Sequence, residues 1–171
     1  SDRFDSYKEL SHAYFTIEGD ERHLDEVQEL FASFGNPVRL IRAEDKVKYH
    51  CAAAICSNQV IALIQESLDL LSDCGFDEES ALAALRPLIA GNVHKVLDHG
   101  CAASLTGPVE RGDTKTLQKH MDCLDEKDRE LYALLSGKLL GVAKRKNPDR
   151  DYHAVARLLA HDQGKMGGID S

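Results

Sequence analysis

The sequence predicts a mainly α-helical chain opened by one βαβ unit. Two short β-rich runs bracket a single helical stretch in residues 1–43, and helical periodicity then continues from Glu44 to the end with no further strand signal. Asp residues, glycines and an Asn-Pro pair fall where those helices should begin and end.

In the opening unit, Ala13-Tyr14-Phe15-Thr16-Ile17 is β-rich and stops at Glu18-Gly19-Asp20, where Asp20 is placed to cap a helix. Leu24, Val27, Leu30, Phe31 and Phe34 recur at helical spacing, and Gly35 closes that helix. Asn36-Pro37 then turns the chain into Val38-Arg39-Leu40-Ile41. Strands joined through a helix run parallel. Parallel sheets are normally covered on both faces and contain more than two strands. This unit is therefore expected to be one end of a larger sheet, or to be completed by a partner.

One long helix follows, from Glu44 to Cys74, stopped by Gly75. Between Cys51 and Ile64 it is apolar on almost every side, which predicts burial all round and association with a second copy through residues 44–74. Asp77 should cap the next helix, which runs to about His99 with a kink at Pro87. Gly100–Gly112 reads as a loop or broken segment. Asp113 and Asp125 cap two further helices, Asn147-Pro148 ends the second, and Val155, Leu158 and Leu159 mark a last amphipathic helix. The predicted division is 1–43, 44–162 and a flexible Gly-rich tail, 163–171.

The composition narrows the function. The 171 residues carry 21 Lys+Arg against 29 Asp+Glu, a net charge of −8, which disfavours nucleic acid as a partner. No uninterrupted apolar run reaches the roughly 20 residues of a bilayer span, and Ser1-Asp2-Arg3-Phe4-Asp5 has no signal-peptide core. Five cysteines without CxxC spacing read as small buried hydrophobes in a reducing compartment, hence a cytoplasmic protein. Eight histidines offer no HxxxH or HExxH pair, so no metal site is expected.

The polar residues worth following lie inside the most apolar helix. His50 and Ser57 are seven apart, two turns or about 10 Å along one face of a regular helix, with Asn58 on its flank. Unpaired burial costs roughly 1–3 kcal/mol per group, so each needs a partner. Ser57 can bond back to a backbone carbonyl and Asn58 to a neighbouring helix; alternatively they line a cleft in which His50 exchanges a proton. A second group is Thr106-Gly107-Pro108 with Arg111, whose guanidinium suits a carboxylate or phosphate, or merely pins its loop with Asp113. Asn92 and His120 are weaker candidates.

These segments occur in a familiar order: Tyr14-Phe15-Thr16-Ile17-Glu18-Gly19-Asp20, Tyr49-His50-Cys51-Ala52-Ala53-Ala54 with Ser57-Asn58, then Leu105-Thr106-Gly107-Pro108 with Arg111-Gly112-Asp113 and His120. The set resembles the Rossmann-like oxidoreductases whose C-terminal half is domain of unknown function 2520. That family is similar to pyrroline-5-carboxylate reductases, ketopantoate reductases and the 6-phosphogluconate dehydrogenase group. The resemblance implies a Rossmann remnant followed by a 6-phosphogluconate dehydrogenase C-terminal-like helical domain that binds substrate and forms a homodimer. It further implies NAD(P)-dependent chemistry on a small carbonyl, imine or hydroxy compound in the full-length protein. His50 would then be the proton donor or acceptor; Ser57, Asn58, Asn92, Thr106, Gly107, Pro108 and Arg111 would contact the small-molecule substrate. Two departures stand out. No Gly-x-Gly-x-x-Gly follows a strand, so this chain alone is expected not to bind the cofactor. Related β-hydroxyacid dehydrogenases carry Lys and, four residues on, Asn, whereas Lys46 is followed at that spacing by His50. The competing expectation is a non-catalytic helical dimerisation or ligand-binding module.

Overall fold

The structure, a computed structural model, describes residues 13–164 apart from Asp20, and for residues 21 and 161–164 the backbone alone. The expected Asp20 cap and residues 165–171 of the expected tail lie outside the described residues, while 163 and 164, also assigned to that tail, belong to the last helix. The fold divides between Glu78 and Glu79 into two compact units.

The first unit opens with the expected βαβ element. Strand β1 (Phe15–Ile17) pairs in parallel with β2 (Val38–Leu40), Phe15 opposite Val38 and Ile17 opposite Leu40, and α1 (Glu21–Ser33) connects them. The rings of Phe15 and Phe31 pack with centroids 4.5 Å apart, fixing helix to strand. Gly35 closes α1 at φ 81°, a conformation open to glycine. The buried Asn36 then donates from Nδ2 to the Ala13 carbonyl at 2.9 Å, holding the return into β2.

A 3₁₀ turn, Ala43–Asp45, leads into α2 (Lys46–Ala54). Arg42 braces it through Glu44 at 2.7 Å and Asp45 at 2.8 Å, and Arg42 hydrogen bonding holds the Asp45 carboxyl below its usual range. A single wide π turn, Ile55–Gln59, joins α2 to α3 (Val60–Asp73), and Gly75 ends the rod at φ 88°. The long helix is thus where the sequence predicts it.

Its burial is not. Ile55 is 54% exposed and Ile61 67%, while only Leu68 in α2 and α3 is buried. A two-stranded βαβ unit is too small to surround a helix apolar on all sides. Cys51, Cys56, Cys74, Cys101 and Cys123 are all exposed, which corrects their reading as buried hydrophobes. Apolar neighbours along a chain bury a thiol only when their own helix is covered. Ala43–Asp73 is, by length and composition, long and apolar enough to cross a membrane, with 6% of its most apolar window buried.

In the second unit α4 spans Glu78–Ser104 and remains helical in φ/ψ at Pro87; the interruption falls at Gly100, with φ 77° and ψ 168°. The segment expected as a loop or broken stretch is the broken one: it holds the last turn of α4 after Gly100 and then the short helix α5 at Pro108–Arg111. Asp113 accepts from the Thr116 amide at 3.0 Å to cap α6 (Thr114–Asp122), and Asp125 caps α7 (Glu126–Lys146) through the Asp128 amide, also at 3.0 Å. The last helix, α8, spans His153–Gly164. Val109, Leu117, Met121, Leu140, Ala143, Tyr152, Val155 and Leu159 form the core joining α5–α8.

Candidate functional site

The carboxyl ends of β1 and β2 open onto a cavity of about 560 Å³ in the first unit. Thr16, Ile17 and Glu18 reach it from the end of β1, Ile41 from just beyond β2, His23 from α1, and Lys46, Tyr49 and His50 from α2. A parallel pair places both strand ends on one side, and the first turn of the long helix passes over them. Because Lys46 and His50 are four apart, one helical turn brings both to the same wall.

Lys46 Nζ is ion-paired to Glu18 Oε1, joining helix to strand end. Glu18 Oε2 is buried and has no hydrogen-bond partner, although the side chain as a whole is 26% exposed. His50 is exposed at the cavity wall. The wall thus presents two imidazoles and a Lys46–Glu18 ion pair to a ligand, with one carboxylate oxygen of that pair unpartnered. Glu18 and His23 are not among the residues the sequence points to, and Lys46 stands out there only through its four-residue spacing to His50. The available signals were the four-residue step from Lys46 to His50 and a carboxylate directly after a parallel strand.

Ser57 and Asn58 sit further along, within the π turn. Ser57 donates to the Ala53 carbonyl at 2.8 Å, the backbone partner considered for it, and Asn58 Oδ1 lies 3.5 Å from the same hydroxyl. Neither lines the cavity that holds His50. The wide turn begins before Ser57, so a count of seven no longer returns the chain to the His50 face.

The remaining candidates belong to the second unit. Asn92 is exposed on α4. Gly107 adopts φ 102° and Pro108 begins α5, while exposed Arg111 ends it. The group most tightly held there is Glu110, whose side chain accepts from Asn147 Nδ2 at 2.8 Å and whose carbonyl accepts from Tyr152 Oη at 2.6 Å. The Asn147 hydrogen bond, aided by Lys146, Arg150 and Arg111, holds the Glu110 carboxyl below its usual range. His120 Nδ1 and Tyr132 Oη are 2.7 Å apart with the rings edge-on, and burial raises the Tyr132 hydroxyl above its usual range. No group of three or more metal-ligating side chains occurs among the described residues.

A parallel βαβ unit with a cavity at its strand ends, followed by a helical unit, defines a mainly α chain opened by a βαβ element. Residues 13–139 match the family model described as Domain of unknown function (DUF2520), and the chain belongs to that family. The crystal structure of protein TM1727 from Thermotoga maritima is similar, with a TM-score of 0.71 and 28% identity over 85% of this chain. The match spans 59% of that protein's chain. No curated protein matches the sequence.

Proposed function

We propose that this chain is the C-terminal substrate-binding and dimerisation portion of an NAD(P)-dependent oxidoreductase acting on a small carbonyl, imine or hydroxy compound. The observation that carries the reading is the position of the cavity. Open α/β sheets bind ligands outside the carboxyl ends of their strands, where Lys46 and His50 line this one.

The residues present do not fit the pyrophosphate of the cofactor. The only glycine directly after β1 is Gly19, and a Cβ added there meets nothing nearer than Leu24 Cδ2 at 3.7 Å. The turn is not a close-approach cradle. The chemistry assignable to this chain is positional and acid–base: His50 exchanges a proton with the ligand, and Lys46, steered by Glu18, sets the charge of the wall.

A second reading, a non-catalytic helical dimerisation module, is favoured by the exposed apolar surface of residues 43–73. Fluorescence titration with NADPH separates the two. The 171-residue chain should give no saturable binding, and a longer protein carrying it beside a Gly-rich nucleotide fold should bind and turn over. A longer protein that folds and dimerises but does not bind cofactor supports the module.

A further inference from the structure

We propose that the trough between α6 and α8 docks an acidic, partly apolar helical segment of a partner protein. The trough has a volume of about 820 Å³ and lies in the second unit, apart from the residues discussed above. Lys115 and Lys119 project from α6 one turn apart, and Arg157 faces them from α8. Ala154 and Leu158 supply an apolar floor, and none of the lining residues is acidic.

Two features make this more than scattered surface charge. First, the three cations form no ion pair among the described residues. The nearby carboxylates have other donors: Thr116 for Asp113, Gln118 for Asp122 and His153 for Asp151. In a chain of net charge −8 the trough is a local reversal of sign, with like charges at adjacent turns of α6, while Arg157 also feels the Asp151 carboxylate at longer range. Second, its walls are fixed. Leu117 and Met121 of α6 and Val155 and Leu159 of α8 are buried in the core, so the two helices cannot part without opening it.

Charge complementarity selects the occupant. A helix presenting one apolar side chain flanked by carboxylates covers Ala154 and Leu158 and answers Lys115, Lys119 and Arg157 together. A free phosphate satisfies the cations but leaves the apolar floor wet.

The test is fluorescence anisotropy of a labelled Glu/Leu-rich amphipathic helical peptide against the intact 171-residue chain. Saturable binding is expected, weakening with salt and by at least about tenfold in Lys115→Glu with Lys119→Glu or in Arg157→Glu. A Glu-to-Gln version of the peptide should lose affinity to the same extent. If charge reversal disturbs the circular dichroism spectrum, Lys115→Gln with Lys119→Gln replaces it, with the same sign of effect. Any of four results overturns the proposal: no saturable binding, binding indifferent to these substitutions, displacement of the peptide by phosphate beyond that by sodium chloride of equal ionic strength, or binding only to phosphatidylglycerol vesicles.

Discussion

Lys46 and Glu18, 28 positions apart in sequence, form an ion pair that ties the start of the long helix to the end of β1, while Glu18 Oε2 is buried without a partner. The Lys46 side chain is 64% exposed, so the attraction itself contributes at most about 1 kcal/mol. The two residues are nevertheless unequal, because only one of them has an atom shut away from water.

Removing Lys46 should therefore cost more than neutralising Glu18. Lys46→Met leaves a carboxylate with neither oxygen paired to a side chain and should lower stability by roughly 1–2 kcal/mol. Glu18→Gln should cost under about 1 kcal/mol, and the double variant less than the two combined. Urea unfolding of all four proteins gives the coupling directly. Strictly additive losses would show that the pair contributes nothing.

His50→Asn should separate chemistry from packing. His50 is exposed, so unfolding free energy should move by no more than about 0.5 kcal/mol. In a cofactor-competent longer protein, turnover should fall by roughly 10²-fold or more. Unchanged turnover at saturating substrate would leave the mechanism without its acid.

The exposed helix should associate. Light scattering at micromolar concentration should give twice the chain mass, and Ile61→Glu, at a position 67% exposed here, should return it to one. Thiol labelling gives an independent readout: Cys51 and Cys56 should react faster in the Glu variant than in the dimer. A monomer with unchanged helical content, or a chain that floats with lipid vesicles, would point to another use of this surface.

Acid should weaken the second unit through Asp113. Its carboxyl is held below the usual range by the Thr116 hydroxyl and amide, with smaller help from Arg111 and the Lys115 amide. A group whose folded pKa is depressed contributes stability above its unfolded value, near 3.9, that disappears as pH falls through the folded value. Asp113→Asn should therefore melt below wild type at pH 7, and the gap should close as pH drops below about 4. A gap independent of pH would assign Asp113 no electrostatic part in the cap.

The elements were legible because their signals are local. Asp113 and Asp125 cap where their positions predict, Gly35 and Gly75 stop helices, and Asn36-Pro37 turns α1 into β2. The exposure of Ile61 and all five cysteines was not legible, since periodicity records which face is apolar but not whether anything covers it. The site was half visible. His50 lines the strand-end cavity, but Glu18 reaches the same wall from a contact 28 residues away, which no spacing rule encodes. Ser57 and Asn58 left the His50 face because the helix changes pitch at Ile55, between His50 and Ser57.

That change of pitch carries a lesson about chain length. The π turn at Ile55–Gln59 absorbs about one residue more than an α turn would. In a regular helix one residue is about 100° of rotation, so without the wide turn every side chain from Val60 onward would point elsewhere relative to Lys46 and His50. The turn is a phase adjuster: it takes up extra chain length with less rotation of the helix that follows than a regular turn would impose. Deleting one residue there should be gentler than deleting one from α3, because the helix can tighten at that turn to a regular pitch. Sequence patterns along this rod are best counted afresh from Val60.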